Sequence, residues 1–414
     1  MFSRQASAPA RQALKAALQV DLPILTPKPA SLSLRHRPTQ QRRGYALRSP
    51  TVMRRNRNRQ GAPRPVPESV RDGAPDLIEE ADLPNLEFWR RQRISLPGLG
   101  DLTPEQCHNA VIKFLTIPAS ERWTWTTALE NQTGLDLYTI HCTGIPLTTG
   151  AAGDEASRIG FNMLKTASRS AYIPSTLVLV DLLLQAPERS FRQGKETLRE
   201  VLEPFKSLVQ AGKDPEVMTL HALLLLREGR PDTFALRFFD KAIEVAGESP
   251  SIPVGPQGSA PTVRKPRWPH EGVCHQKRGE LLLKQGRTQE AIASFKIAAL
   301  ELDIGHGYLE LAKLLPHDAP EREIYLIKAA QSPMGDDFVA CHLLALHLAD
   351  KATKPDLSQA ERIDNANLAY EWALVEPDPE KRRGVMAQVV EKVKGITDGM
   401  NKDWVKLWRN AQWT

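Results

Sequence analysis

The sequence predicts an all-α fold in which antiparallel helix pairs stack as an irregular solenoid behind a disordered N-terminus. Three observations predict it. A spacing of small, aromatic and small residues recurs through the second half of the chain, and glycines stand where a helix pair has to turn. The third is compositional: of 414 residues, 41% are hydrophobic and 25% charged, enough apolar material for a sizeable core. No apolar run approaches the ~20 residues of a membrane-spanning helix, so the expectation is a soluble protein.

The first 45 residues read as an address. Arg4, Arg11 and Lys15 share one side of a helix, with Phe2, Ala13, Ala17 and Val20 opposite. An amphipathic, Arg-rich, Ser-containing and acid-poor segment is the composition of a mitochondrial transit peptide, whereas a secretory signal needs an unbroken apolar stretch. Arg43-Gly44-Tyr45-Ala46 resembles the site at which fungal mitochondrial presequences are cut, which implies a mature chain starting at Ala46. Residues 46–80 are rich in Pro, Arg and Asn without periodicity and are expected to form a disordered basic leader.

Charge is unevenly placed. Residues 1–67 hold 14 Lys or Arg and the single acid Asp21, a net of +13, so the whole-chain value of +6 leaves −7 for residues 68–414. The body therefore lacks the basic surplus with which a backbone-tracking nucleic-acid binder displaces counterions.

Residues 81–150 form an N-terminal mixed or helical region. Thr103-Pro104-Glu105 is a helix start, while Trp123-Thr124-Trp125 and Tyr138-Thr139-Ile140 could be strands. From Ala156 to Gln210 further helices are expected, with Leu177–Val180 and Leu182–Leu184 too apolar for a surface.

A helical-repeat domain is expected over residues 151–400. Ala291-x3-Phe295-x2-Ala298 is matched by Ala235-x3-Phe239-x2-Ala242 and by Ala366-x3-Tyr370-x2-Ala373, with a degenerate copy at Glu321-x3-Tyr325-x2-Lys328. Positions i, i+4 and i+7 share one helix face, so small residues admit a neighbouring helix while the aromatic fills the gap. Gly279, Leu282 and Gly286 precede the clearest copy, and Ala222, Leu225 and Gly229 precede its predecessor. The segment Gly279–Ala298 resembles the tetratricopeptide repeat, two antiparallel helices with a tight turn at Gly286, and the irregular unit lengths resemble the longer Sel-like relatives. The resemblance spans about residues 215–376. It departs from the family pattern at His275, Asp303, Glu321 and Lys328. Between the first two copies, residues 247–272 carry six prolines and are expected to form a long exposed excursion.

Residues 401–414 are expected to form a Trp-rich C-terminal helix. Trp404, Leu407, Trp408 and Ala411 fall on one face, Lys402, Lys406 and Arg409 lie opposite, and Trp413 follows. Such a helix can cap the last repeat, anchor in a partner's groove or lie at a membrane interface.

No phosphate-cradling glycine loop, zinc motif, nucleophile elbow or dinucleotide fingerprint occurs, so no catalytic residue, cofactor or metal ligand is assigned. Each cysteine adjoins a histidine, at Cys107-His108, His141-Cys142, Cys274-His275 and Cys341-His342. A thiolate and imidazole site for a metal or haem would draw on these residues only if distant pairs met, because adjacent helical residues diverge by about 100°.

These features point to a non-catalytic mitochondrial helical-repeat protein, in the matrix or on the matrix face of the inner membrane, that binds one or more mitochondrial proteins. The repeat resemblance implies a scaffold or assembly factor, with respiratory-chain complexes one candidate. The alternatives are a mitochondrial RNA-binding or translation-associated repeat protein, which the acidic body opposes, and a haem- or metal-binding protein using the Cys-His pairs.

Overall fold

The computed structural model of the chain describes residues 83–95, 102–122, 125–148, 154–247, 263–332, 338–376 and 378–396. The expected presequence with its cut at Arg43, Tyr45 and Ala46, the leader 46–80, Trp123, and the helix bearing Trp404, Leu407, Trp408 and Trp413 lie outside them. Among the described residues the fold is all-α, without a strand, and no helix is long and apolar enough to cross a membrane. Two compact units are formed. One holds residues 83–247 and 266–291, the other 263–265 and 292–396.

The first unit begins with α1 (Leu86–Ser95) packed on α2 (Pro104–Thr116). A reciprocal capping box starts α2: the Thr103 hydroxyl accepts the Gln106 N–H at 3.2 Å, and the Gln106 side chain accepts the Thr103 N–H at 2.7 Å. Its buried residues Cys107, Ala110, Val111 and Phe114 recur at helical spacing, so a single stripe faces Trp89 and Trp125 in the core.

Two short helices, α3 (Ala119–Arg122) and α4 (Thr127–Thr133), lead into α5 (Leu137–Thr148) and α6 (Asp154–Arg169). Tyr138-Thr139-Ile140, which could have been a strand, is the first turn of α5. The β-branched and aromatic residues suggested extended chain, but burial of every residue from Ile140 to Gly144 leaves no amphipathic period for a sequence to reveal. Close packing accounts for that burial. A Cβ on Gly160 of α6 would lie 2.7 Å from the Gly144 carbonyl oxygen and 2.5 Å from Leu147 Cβ, so α5 and α6 meet backbone to backbone.

The unit continues through α7 (Ile173–Gln185), α8 (Glu188–Thr197), α9 (Arg199–Ala211), α10 (Pro215–Arg227), α11 (Asp232–Ala246) and α12 (Glu271–Lys284). Asp214 caps α10 through the N–H groups of Glu216 and Val217, and α10 packs along α11, α9 and α7. The end of the expected exposed excursion is not exposed: Trp268 is buried, and Glu271, inside the stretch taken as excursion, opens α12 fully buried.

A three-residue turn leads to α13 (Thr288–Lys296), within which the chain passes into the second unit. There a π-helical turn (Ile297–Glu301) is followed by Leu302 and by Asp303, whose φ of 55° is left-handed. Next come α14 (Gly305–Leu314), α15 (Pro320–Gln331), α16 (Val339–Ala352), α17 (Gln359–Leu374), α18 (Pro379–Val393) and a 3-10 turn (Lys394–Ile396). Successive helices from α14 to α18 pack on one another, and α18 also packs on α16. Short connections make neighbours antiparallel, so the unit is a stack of helix pairs.

Candidate functional site

The residues singled out by the recurring spacing lie in the cores of the helix pairs. On α11, Ala235, Phe239 and Ala242 are buried, as are Ala366, Tyr370 and Ala373 on α17. Ala291 and Phe295 are buried on α13, and Ala298 in the π turn that follows. On α12, Gly279 and Leu282 are buried, and the turn comes at Gly286 with φ of 75°. There the Arg287 N–H reaches the Leu282 carbonyl and the Gly286 N–H the Leu283 carbonyl, the paired bonds that end a helix at a left-handed residue. Gly229 closes α10 in the same way, through Arg230 to Leu225 and Gly229 to Leu226.

The degenerate copy is built differently. Glu321 is exposed and Tyr325 half-buried, its ring 5.7 Å from that of Tyr308 on α14. Lys328 reaches over the Tyr308 ring and lies 3.7 Å from Asp303. The small residues are on the other helix of the pair. A Cβ on Gly307 would stand 2.9 Å from the Ala299 nitrogen and 3.0 Å from Ala298 Cβ, and one on Gly305 would overlap the Ser332 side chain.

The Cys-His pairs do not converge. All four cysteines are buried and free, and among the described residues no group of three or more His, Cys, Asp or Glu could hold a metal ion. Each histidine turns to its own neighbour. His108 contacts the Pro84 carbonyl, His141 the Ser175 hydroxyl at 2.9 Å, His275 lies beside the Trp268 ring, and His342 stands 2.7 Å from a Glu376 oxygen. Burial pushes the thiol pKa of Cys274 up to about 12 and that of Cys341 to about 11, and lowers His141 to about 4. At neutral pH His141 is a neutral imidazole, and Cys274 and Cys341 are protonated thiols, poor nucleophiles and poor soft-metal ligands in that form.

Two polar clusters escaped the sequence reading. In the first unit, His270 sits between Asp181 of α7 and Glu216 of α10. Burial opposes its charge, but the hydrogen bonds and charges of the two carboxylates outweigh it and push its pKa up to about 10. In the second unit, burial raises the Glu323 pKa, yet His347 and Lys351 of α16 together hold it down to about 2. Neither cluster has a signature, because each joins residues from separate helices. Among the Pro-rich residues, the aromatic Trp268 beside His270 was the one available hint.

A shallow open pocket of about 330 Å³ lies among Lys113, Ile117, Pro118, Glu121 and Leu129 of the first unit. Its ammonium is already engaged, since Lys113 Nζ donates to the Thr133 carbonyl at 2.9 Å. Comparison with protein-family models and with curated proteins finds no match to this chain.

Proposed function

We propose that this chain is a non-catalytic helical-repeat protein of mitochondria that works by being bound, as a scaffold or assembly factor for other mitochondrial proteins. The observation that carries the reading is the burial of Ala235, Phe239 and Ala242, and of Ala366, Tyr370 and Ala373, in the cores of two separate helix pairs. Stacked pairs satisfy their own backbone groups and leave outward side chains free to recognise a partner. The use made of the ionisable groups supports the same reading. His141, His270, Glu323, Cys274 and Cys341 are displaced from their ordinary pKa values by burial or by partners within the packing.

The place of action comes from the sequence. The cationic, acid-poor residues 1–45 ending near Arg43-Gly44-Tyr45-Ala46 direct the chain to the matrix, and the body from residue 68 with its acidic surplus favours protein over nucleic acid. The Trp404, Leu407, Trp408 and Trp413 helix is the proposed anchor for a partner or for the matrix face of the inner membrane. Deleting the protein from its host tests the reading. We expect an incomplete respiratory-chain intermediate to accumulate on native gels and to be cleared by re-expression. Unchanged complexes, together with a reporter carrying residues 1–46 that stays in the cytosol, would overturn it.

A further inference from the structure

The Pro-rich excursion interrupts the first unit after Gly247, and the chain is fastened where it returns. The Arg267 guanidinium donates through Nη1 to the Gly247 carbonyl at 2.6 Å and through Nε to Glu271 at 2.7 Å. Two positions twenty residues apart are thus bonded to each other. The Arg267 N–H also donates to Glu271, at 2.6 Å. The next residue, Trp268, is buried, and its indole N–H donates to the Thr219 hydroxyl of α10 at 3.1 Å. His270 then donates its backbone N–H to Glu216 at 3.0 Å, while its ring bridges Glu216 and Asp181.

Trp268, Thr219, Glu216 and Glu271 are buried, so their hydrogen bonds are costly to separate, whereas the Arg267 bond to the Gly247 carbonyl lies at the surface and adds to a closure that the buried groups hold. Loop-closure entropy, in contrast, grows only with the logarithm of loop length, so once a neck is closed the length of chain beyond it matters little. We propose that Arg267–Glu271 is a clasp: it completes the packing of α7 and α10 and holds the two ends of the excursion together, making an intact chain between 248 and 262 dispensable for the fold.

The test uses the full chain with a site-specific protease site placed within 248–262. After cleavage the two fragments are expected to co-elute as one species and to melt within about 3 °C of the uncut protein, with the Arg267 and His270 amides still protected from hydrogen exchange. Trp268→Ala and His270→Ala are each expected to fold when uncut, with a lower Tm, and to release the fragments when cut. Trp268→Phe, which loses the indole N–H and keeps the ring, is expected to retain them with weaker protection. Separation of the cut wild-type fragments would overturn the proposal. So would fragments of Trp268→Ala and His270→Ala that hold together as firmly as the wild type, because packing of α11 on α12 would then suffice without the clasp.

Discussion

Helices α11 and α15 hold the same place in their pairs and solve the same packing problem with opposite distributions of residues. On α11 the aromatic Phe239 is enclosed and flanked by Ala235 and Ala242, so this second helix supplies both the filler and the room for close approach. On α15 the flanking positions are Glu321 and Lys328, Tyr325 is only half-buried, and the room on the partner side comes from Gly305 against Ser332, while Gly307 admits the preceding turn at Ala298 and Ala299. The comparison teaches that a helix pair needs one filler and one close approach, and that either helix can provide the latter. The cost of the second arrangement falls on burial: Tyr325 stays partly exposed beside the Tyr308 ring, over which the Lys328 ammonium lies.

The largest effect should separate the two aromatics. Phe239→Ala removes an enclosed ring and is expected to cost about 3 to 5 kcal/mol, whereas Tyr325→Ala, at a half-buried site, is expected to cost about 1 to 2 kcal/mol. Urea denaturation of both variants measures this, and equal losses would erase the distinction. The close approach comes next. Gly307→Ala pushes a methyl group against the Ala299 backbone and is expected to cost about 1 to 3 kcal/mol. Lys328→Ala is expected to change stability by less than about 1 kcal/mol, since its pairing with Asp303 is half-exposed. A Lys328 loss exceeding the Gly307 loss would place the critical contact on α15 and not on the approach of α14 to the Ala298–Ala299 turn.

The comparison extends to the response of the two units to acid. His141 in the first unit titrates near 4 in the folded chain and near 6.5 when unfolded, so its contribution is intact above pH 6.5 and is lost as the pH falls toward 4. His221, lowered mainly by burial, acts in the same direction, whereas His270, which burial lowers but Asp181 and Glu216 raise to about 10, keeps its contribution in full below pH 6.5 and only partly offsets the loss. In the second unit the carboxyl of Glu323 is held near 2 against 4.5 when unfolded, so its stabilisation declines only as the pH drops below 4.5. Hydrogen exchange at pH 5 should therefore show loosened amides around α5 and α7 while those of α15 and α16 stay protected. His141→Gln should flatten the first unit's response.

The smallest effect concerns Arg322, which is 6% exposed in the first turn of α15 with no hydrogen-bond partner for Nε. Arg322→Met relieves a buried unpaired donor beside a helix N-terminus and is expected to be neutral or to stabilise by up to about 1 kcal/mol, read as a rise in Tm. A clear loss would assign that guanidinium a contact outside its own pair.

The sequence made the periodic parts of this molecule legible and hid the parts made by distant contacts. Ala235, Phe239 and Ala242 could be read because their spacing is that of a helix face, and Gly229 and Gly286 because a left-handed residue is needed to end the first helix of a pair. The packing of α5 on α6 could not be read, since burial on all sides of α5 erases the period that would have marked it. The clasp was hidden for a different reason: Trp268 and His270 meet partners 49 and 54 residues away, among prolines that read as loop. In the degenerate copy, the spacing Glu321-x3-Tyr325-x2-Lys328 located the helix, while the compensating Gly305 lay outside that pattern.

The central claim is that these helix pairs act by being gripped by another protein. The most direct test is crosslinking mass spectrometry on the full chain, tagged at its C-terminus and isolated from mitochondria at physiological salt. We expect crosslinks from its helices to the same protein assembly in independent preparations, at a fixed stoichiometry. Recovery of a free monomer, or of crosslinks to RNA alone that fade as salt rises, would contradict it.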